Sequence, residues 1–204
     1  MSGQLILVSA PSGAGKTSLV KAALERDEAL VVSVSHTTRT RRTNETDGVN
    51  YHFVDTDEFK AMIAADAFLE HARVFDNMYG TSKAEVAARQ AAGKDVILEI
   101  GWQGADQVRR AAPDAASIFI LPPSVEVLKE RLKARGEDSE ASMSRRLAEA
   151  QLEISQAPKY DYIVVNDDFD QAVADMLILF RAIRLRTRAQ IGSNPLVESI
   201  LSAS

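Results

Sequence analysis

A short segment near the start of the chain has a lysine, a hydroxyl residue and two glycines at a spacing suited to binding phosphate. Residues 10–17 read Ala-Pro-Ser-Gly-Ala-Gly-Lys-Thr, and they join an apolar run at 5–8 to a stretch with helical apolar periodicity. Gly13 and Gly15 let the backbone bend so that successive N–H groups point at one anion. Lys16 and the positive end of the helix would add charge for the outer phosphates. Strand, tight loop and then Gly-Lys-Thr together predict a phosphate-binding P-loop.

The predicted P-loop also supplies candidate ligands for a nucleoside triphosphate and its metal ion. Thr17 would place a hydroxyl beside a magnesium ion. Ala10 stands where the P-loop consensus has glycine, and alanine fits there if its φ stays negative. An ordinary glycine-rich turn before a helix is the alternative interpretation. The candidate triphosphate-binding residues are Ser12, Gly13, Ala14, Gly15, Lys16, Thr17 and Ser18.

A second group of side chains suited to phosphate follows further along the chain. Arg39 and Arg42 lie three residues apart in a polar, basic stretch, and Tyr51 and Tyr79 come after them. Arginine forks bind phosphate bidentately, and a tyrosine hydroxyl can donate to the same oxygens. A phosphate site separate from the P-loop suggests a phosphorylated acceptor. The alternative is a solvated basic loop near two structural tyrosines.

The overall composition is that of a soluble globular protein, and it excludes several classes of function. The chain has 204 residues, of which 46% are hydrophobic and 26% charged. It has no cysteine, which excludes disulfides, thiolate catalysis and zinc–thiolate sites, and its three histidines are scattered. The net charge of −5 argues against a nucleic-acid partner bound by global positive charge. Because no apolar run is long enough for a membrane span or a signal peptide, we expect a cytoplasmic enzyme with no membrane partner.

Alternating apolar runs and helical periodicities must position these candidate residues. Helices are predicted at 57–66, 83–92, 102–112, 125–135, 140–156 and 171–188. Buried strands are predicted at 5–8, 30–34, 95–100, 117–121 and 162–165, with further strands at 49–53 and 68–74. Buried strands that alternate with helices predict an α/β fold with a parallel sheet and right-handed crossovers.

Two regions do not fit that core, and we interpret them as insertions at the carboxyl edge of the sheet, where ligands bind. Residues 35–82 are polar and strand-rich, and residues 124–157 are helical and basic. The predicted core comprises residues 1–34, 83–123 and 158–204. The tail after residue 188 has apolar residues at helical spacing, and we expect it to dock on the core or on a second subunit of a homo-oligomer, with a frayed tail as the alternative.

The basic stretch at 37–53 resembles the signature segment of guanylate kinases, and it reads Thr-Thr-Arg-x-x-Arg-x-x-Glu-x-x-Gly-x-x-Tyr-x-Phe. Similar motifs follow as Phe-Leu-Glu at 68–70, Tyr-Gly-Thr-Ser at 79–82, Trp-Gln-Gly-Ala at 102–105, Arg-x-x-x-Arg-Gly at 131–136 and Val-Asn-Asp-Asp at 165–168. The resemblance covers residues 4–188. It implies a P-loop parallel sheet flanked by helices, a GMP-binding subdomain at 35–82 and a lid at 124–157. It also implies Mg²⁺-dependent, in-line transfer of the ATP γ-phosphoryl group to GMP, with lid closure, giving GDP and ADP.

The resemblance assigns seven residues to GMP binding. The positions that match contacts to the GMP phosphate are Arg39, Arg42, Tyr51 and Tyr79. The positions that match readers of the guanine base are Ser35, Glu70 and Thr81. A carboxylate at Glu70 suits guanine, because guanine presents N1–H and an exocyclic amine side by side, whereas adenine lacks that pair of donors. A surface acid on an edge strand is the alternative for Glu70 taken by itself.

On the ATP side, the resemblance assigns catalytic roles to Lys16, Arg131, Arg135 and Arg146 and places Asn166 near the adenine. Arg131 and Arg135 are four residues apart, so they share one helical face. Arginines on a mobile lid would neutralise the charge that spreads over the oxygens of the transferred phosphoryl group. A merely solvated helix face is the alternative.

The predicted metal ligands are Thr17 and Glu99, partly through water. Glu99 ends a predicted strand after which family members carry acid-x-acid-x-Gln-Gly, but this chain has Gly101 in place of the second acid. In relatives that aspartate lies close to GMP, and losing a charged hydrogen-bond partner costs ~1.5–3 kcal/mol. Asp76, where glycine is usual, is a milder departure. The enzyme either tolerates both changes or has reduced activity.

Two other functions stay open at this point. One is a non-catalytic guanylate-kinase-like binding module, which would present the GMP pocket to a phosphopeptide or protein. Such modules tend to have lost the P-loop lysine and the lid arginines, and this chain keeps them. The other is a related P-loop kinase for a phosphorylated sugar, and a base-reading set around Glu70 argues against a substrate that has no base.

Overall fold

The computed structural model describes residues 2–74, 76–133, 140–191 and 193–203. Its strands are β1 (Leu5–Ser9), β2 (Leu30–Val32), β3 (His36–Thr37), β4 (His52–Phe53), β5 (Phe68–Val74), β6 (Asn77–Ser82), β7 (Asp95–Glu99), β8 (Ala116–Leu121) and β9 (Tyr162–Val165). Its α-helices are α1 (Lys16–Arg26), α2 (Thr56–Ala64), α3 (Lys83–Ala91), α4 (Trp102–Ala111), α5 (Val125–Lys133), α6 (Glu140–Ile154), α7 (Phe169–Arg184), α8 (Thr187–Gln190) and α9 (Pro195–Ser202).

A parallel five-stranded sheet in the order β2-β7-β1-β8-β9 forms the centre of the molecule. Its three inner strands, β7, β1 and β8, are apolar and buried on both faces because helices cover both sides. Ile6 and Val8 of β1 pack with residues of α1 and α7, whereas Leu7 packs with residues of α3 and α4 on the opposite face. The predicted α/β fold with a parallel sheet flanked by helices is therefore confirmed. Because β1 is the central strand, the loop that follows it emerges at the middle of the carboxyl edge.

A second, four-stranded sheet in the order β4-β3-β6-β5 lies within the predicted insertion at 35–82. The alternating strand expected at 49–53 is reduced to β4, which has two residues. Residues 77–82, for which no strand was predicted, form β6, because this segment pairs antiparallel with both β5 and β3. Gly80 allows that pairing, since a Cβ there would lie 2.9 Å from Cδ1 of Phe68.

The helices of the predicted lid pack on each other through a small apolar cluster. Leu128 and Leu132 of α5 and Ala150 of α6 are buried together. The long final helix expected at 171–188 is divided into α7 and the short α8. The expected docking of the tail on the core is found only at its start, where Ala189 of α8 is buried, whereas α9 buries none of its own residues and Leu196 is 75% exposed. Across the described ranges, no helix is both long and apolar enough to span a bilayer.

Candidate active site

The loop between β1 and α1 has the backbone conformation that an anion-binding loop needs. Gly13 and Gly15 have φ values of 90° and 94°, in the left-handed region that favours glycine. Asp66 is the only non-glycine with positive φ among the described residues, so Ala10 keeps the negative φ that its side chain requires. Lys16 and Thr17 then open α1, where the helix N-terminus favours negative charge.

Asn166 supports this loop from the end of β9. Its amide nitrogen Nδ2 donates to the Ala14 carbonyl oxygen at 2.8 Å, and the residue is only 5% exposed. A Cβ on Gly15 would lie 2.4 Å from the same nitrogen, so this contact also requires glycine at the loop. Asn166 was assigned to the adenine by resemblance. That role stays a prediction, and its hydrogen bond to the loop was not anticipated.

The side chains of Lys16, Thr17 and Glu99 meet at the carboxyl edge of the sheet. Burial lowers the pKa of Lys16, and the nearby carboxylates of Glu99 and Glu153 act in the opposite direction. Thr17 Oγ1 donates to Glu99 Oε2 at 3.2 Å. A hydroxyl and a carboxylate are oxygen donors that suit a hard divalent cation such as Mg²⁺. The two predicted metal ligands are therefore adjacent.

Glu153 is a residue of this site that sequence reasoning missed. It lies on α6, and its Oε2 accepts a hydrogen bond from the Ser12 backbone N–H at 3.1 Å. Burial raises the pKa of Glu153, whereas the Ser12 N–H and Lys16 favour its charged form. No local motif marks Glu153, because its partner Ser12 lies 141 residues away in the chain.

The base of the lid contacts the P-loop at further points. A Cβ built on Gly13 would lie 3.1 Å from Cδ1 of Leu128 and 3.2 Å from Cδ2 of Leu132. Helix α5 therefore packs directly on the loop. Arg131 Nη2 donates to the Asn166 carbonyl oxygen at 3.3 Å. Of the other predicted lid arginines, Arg146 is half-buried on α6, and Arg135 lies outside the described residues.

Arg39 and Tyr51, in the loop that joins β3 to β4, cluster with Tyr79 of β6, and all three are predicted contacts of the GMP phosphate. The Arg39 guanidinium lies 5.4 Å from the Tyr51 ring centre, and the Tyr51 and Tyr79 ring centres are 5.8 Å apart. Glu45 holds this cluster, because its Oε1 pairs with Arg39 Nη2 at 2.6 Å and its Oε2 accepts from the Arg42 backbone N–H at 2.9 Å. The pKa of Glu45 is lowered, mainly by the hydrogen bond that its carboxylate accepts from the Arg39 side chain. The side chain of Arg42 is exposed.

The predicted base-reading residues Glu70 and Thr81 are in direct contact and buried. Thr81 Oγ1 donates to Glu70 Oε1 at 2.6 Å, and the residues are 0% and 4% exposed, respectively. Burial raises the pKa of Glu70, and hydrogen bonds from Thr81 partly offset this effect. His36 pairs with Gly80 across β3 and β6, and continuing that antiparallel register would place Ser35 opposite Thr81. A buried carboxylate with one oxygen not used by Thr81 is suited to two adjacent N–H donors.

The two departures from the family pattern lie in different surroundings. Gly101 is the N-cap of α4 with extended backbone angles (φ −73°, ψ 168°), and a Cβ there would meet only Oε1 of Gln103, at 3.2 Å. An aspartate would therefore fit at this position without a backbone change. Asp76 is exposed beside the turn between β5 and β6, and its Oδ1 lies 3.8 Å from Nη2 of Arg73.

Comparison with known proteins gives one consistent family. A family model described as guanylate kinase matches residues 2–182. A guanylate kinase of Hahella chejuensis is 58% identical over 92% of this chain and 90% of its own length. One from Alkalilimnicola ehrlichii is 57% identical over 93% and 94%. The crystal structure of guanylate kinase from Anaplasma phagocytophilum superposes with a TM-score of 0.76 at 34% identity, covering 97% of this chain and 95% of that one. A match of this extent, in sequence and in fold, means that the chain belongs to the guanylate kinase family.

Proposed function

We propose that this chain transfers the γ-phosphoryl group of ATP to GMP in an Mg²⁺-dependent reaction that gives ADP and GDP. The observation that supports this proposal most is the buried Glu70 carboxylate, held by Thr81 at 2.6 Å, in a molecule that also has a P-loop. A P-loop alone is compatible with many phosphate acceptors. A buried carboxylate restricts the acceptor, because its oxygens accept from the N1–H and amine of guanine.

The two substrates would bind in separate parts of the molecule. The core at 1–34, 83–123 and 158–204 would bind ATP through the loop and Asn166. The insertion at 35–82 would bind GMP. Its phosphate would lie among the side chains of Arg39, Arg42, Tyr51 and Tyr79, and its base would contact Ser35, Glu70 and Thr81. The helices of 124–157 would close over both substrates as a lid.

The proposed reaction needs no covalent intermediate with the protein. A phosphate oxygen of GMP attacks the γ-phosphorus, and the bond from that phosphorus to the bridging oxygen breaks as ADP leaves with the electron pair. During transfer, Lys16 and three lid arginines would neutralise the negative charge on the oxygens of the phosphoryl group. These arginines are Arg131, Arg135 and Arg146. Positioning of the two phosphates and exclusion of water on closure would account for the rest of the rate.

Thr17 and Glu99 would hold the Mg²⁺ ion. Within the described ranges no group of three or more His, Cys, Asp or Glu residues could hold a metal. This fits Mg²⁺, which is commonly bound by one or two protein groups together with substrate phosphates and water. When bound, the ion would neutralise charge on the phosphate oxygens of ATP.

The two alternatives have less support. A non-catalytic module would not need a lysine, a threonine and a glutamate arranged around a phosphate loop, yet Thr17 and Glu99 are in hydrogen-bond contact beside Lys16. A sugar-phosphate kinase would gain nothing from the buried Glu70–Thr81 pair.

A coupled assay of ADP release tests the proposal directly. ATP and Mg²⁺ would be supplied with GMP, AMP, ribose 5-phosphate or no acceptor. We expect turnover with GMP that is absent with the other three. Turnover with ribose 5-phosphate would identify the sugar kinase, and GMP binding by calorimetry without turnover would indicate the binding module or an impaired enzyme.

The Gly101→Asp variant separates those last two outcomes. If the missing acid impairs an enzyme, restoring the acid raises turnover by about tenfold or more, the equivalent of a charged hydrogen bond. If the chain is a binding module, the variant stays inactive.

A further inference from the structure

Gly104 in the first turn of α4 lies against the carboxylate that we assign to guanine. An ideal Cβ built on Gly104 would lie 2.4 Å from Oε2 and 3.0 Å from Cδ of Glu70. Gly104 is buried and helical, and its φ is not positive. Any residue could therefore adopt this backbone conformation. Glycine is needed because there is no room for a side chain beside the Glu70 carboxylate.

The clash with a larger residue could not be relieved cheaply from the Glu70 side. The other carboxylate oxygen, Oε1, is held by Thr81 Oγ1 at 2.6 Å. Glu70 and Thr81 also face each other in the β5–β6 ladder, so both backbones are fixed by strand pairing. A carboxylate that moved away from α4 would therefore lose its alignment with Thr81.

Movement of α4 is restricted as well. Ala105, the next residue, and Val108, one turn later, are both 0% exposed and belong to the core cluster on that face of the sheet. A shift of the helix would open space in a close-packed core, which is costly. An added methyl group at position 104 would therefore displace the Glu70 carboxylate, which is the end of a side chain, at the cost of its hydrogen bond with Thr81.

We infer that Gly104 is a specificity-determining position for guanine, because its missing side chain makes the room in which the Glu70 carboxylate lies. This inference rests on the proposed function. The ligand class is a purine monophosphate with both an N1–H and a 2-amino group. GMP has both donors, IMP has only the N1–H, and AMP has neither.

The first test compares Gly104→Ala with the unmodified chain in steady-state kinetics. We expect the KM for GMP to rise about tenfold or more, since one misaligned charged hydrogen bond corresponds to at least that factor. The KM for ATP is expected to stay within about twofold, and the preference for GMP over IMP is expected to fall. Ala111→Ser is the control, because it adds one heavy atom at the exposed end of the same helix.

A double-mutant cycle with Glu70→Ala separates this role from simple helix packing. If Gly104 acts by making room for the carboxylate, Gly104→Ala changes GMP kinetics by less than about twofold once the carboxylate is gone. If Gly104→Ala raised the KM for GMP equally with Glu70 present and with Glu70→Ala, the inference would be overturned. Gly104 would then act through something other than Glu70.

If activity is too low to measure, the same cycle can be followed by thermal unfolding. The four proteins are the unmodified chain, Gly104→Ala, Glu70→Ala and the double variant. Gly104→Ala should lower Tm, and the Glu70→Ala/Gly104→Ala protein should melt above the Gly104→Ala single variant, because the clash is removed. A double variant that melts at or below the single variant would contradict the contact. A chain that shows no GMP-dependent turnover, even with Gly101→Asp, would refute the proposed function, while the Tm cycle would still decide whether Gly104 makes room for Glu70.

Discussion

At the scale of single residues, Lys16 combines burial with two acidic neighbours. Burial lowers the pKa of its amine, while Glu99 and Glu153 favour the charged form. This lysine would meet the γ-phosphate in the proposed reaction, and its charge would matter most as the phosphoryl group is transferred.

Replacing Lys16 with methionine, which preserves the length of the side chain but not its charge, should lower kcat by about 10²-fold or more, as for loss of one preorganised charge-stabilising donor. ADP release with saturating ATP and GMP measures this effect. Lys21→Met is the matched control, because Lys21 is exposed on the same helix. An unchanged rate in Lys16→Met would overturn the P-loop assignment.

Glu70 should make the stability of the protein depend on pH in a defined direction. Because burial raises its pKa in the folded state, the folded protein binds this proton more tightly than the unfolded chain does. Its contribution to stability is fully present below the unfolded pKa of the carboxyl, and it is lost as pH rises through the raised folded pKa.

Glu70→Gln, which cannot ionise, should therefore gain stability relative to the unmodified chain between acidic and neutral pH. Urea unfolding at pH 4 and pH 7 measures the difference in free energy of unfolding for both proteins. A difference that stays constant between the two pH values would show that the carboxyl has an ordinary pKa.

At the scale of elements, the base of the lid is attached directly to the P-loop. Glu153 of α6 accepts from the Ser12 N–H, Leu128 of α5 packs on Gly13, and Arg131 of α5 reaches Asn166. Helices joined in this way to the phosphate loop would transmit the presence of ATP to the lid.

The Glu153 contact can be tested with two substitutions. Glu153→Ala should lower kcat/KM for ATP by about tenfold, the equivalent of one hydrogen bond to a charged group, because α6 loses its attachment to the loop. Glu153→Gln should retain most activity, since its amide oxygen still accepts from the Ser12 N–H. Glu149→Ala is the control, because Glu149 is an exposed glutamate one turn earlier in the same helix. If the Gln variant lost as much as the Ala variant, the negative charge rather than the hydrogen bond would be the important feature.

At the scale of the whole molecule, Arg184 forms an ion-pair network at the edge of the central sheet opposite the P-loop. Arg184 of α7 pairs through Nη1 with Asp27 Oδ2 at 2.7 Å and through Nε with Asp95 Oδ2 at 2.5 Å. Asp95 starts β7 and also accepts from the Gln4 backbone N–H at 2.7 Å. This network joins α7 to the end of α1, the start of β7 and the residue before β1, at the sheet edge opposite the P-loop, so stability and activity can be varied separately.

Arg184→Leu should lower the free energy of unfolding by about 3 kcal/mol, because it leaves Asp95, whose side chain is only 6% exposed, without its cation. Urea unfolding measures this change, and kcat of the folded enzyme should be unaltered. Arg26→Leu is the control, since its pair with Asp170 is exposed and should contribute less than about 1 kcal/mol. A loss of activity without loss of stability would mean that this network affects the site.

The sequence alone determined the features that depend on local spacing. The phosphate loop could be located because a buried strand, two glycines and Gly-Lys-Thr are contiguous, and the parallel α/β core followed from alternating strand and helix periods. The signature stretch at 37–53 likewise identified Arg39 and Tyr51, which the structure brings together.

Only the tertiary structure decided which distant residues meet. Glu153 lies 141 residues from Ser12, and no periodicity or motif links them. In the sequence, Gly104 is only part of the Trp-Gln-Gly-Ala motif. Its contact with Glu70 arises because α4 packs against β5. The strand β6 was missed because its polar sequence is stabilised by pairing with β5 and β3 rather than by its own propensity. Local spacing encodes the backbone of an element, whereas the space and charge around a side chain depend on how elements pack.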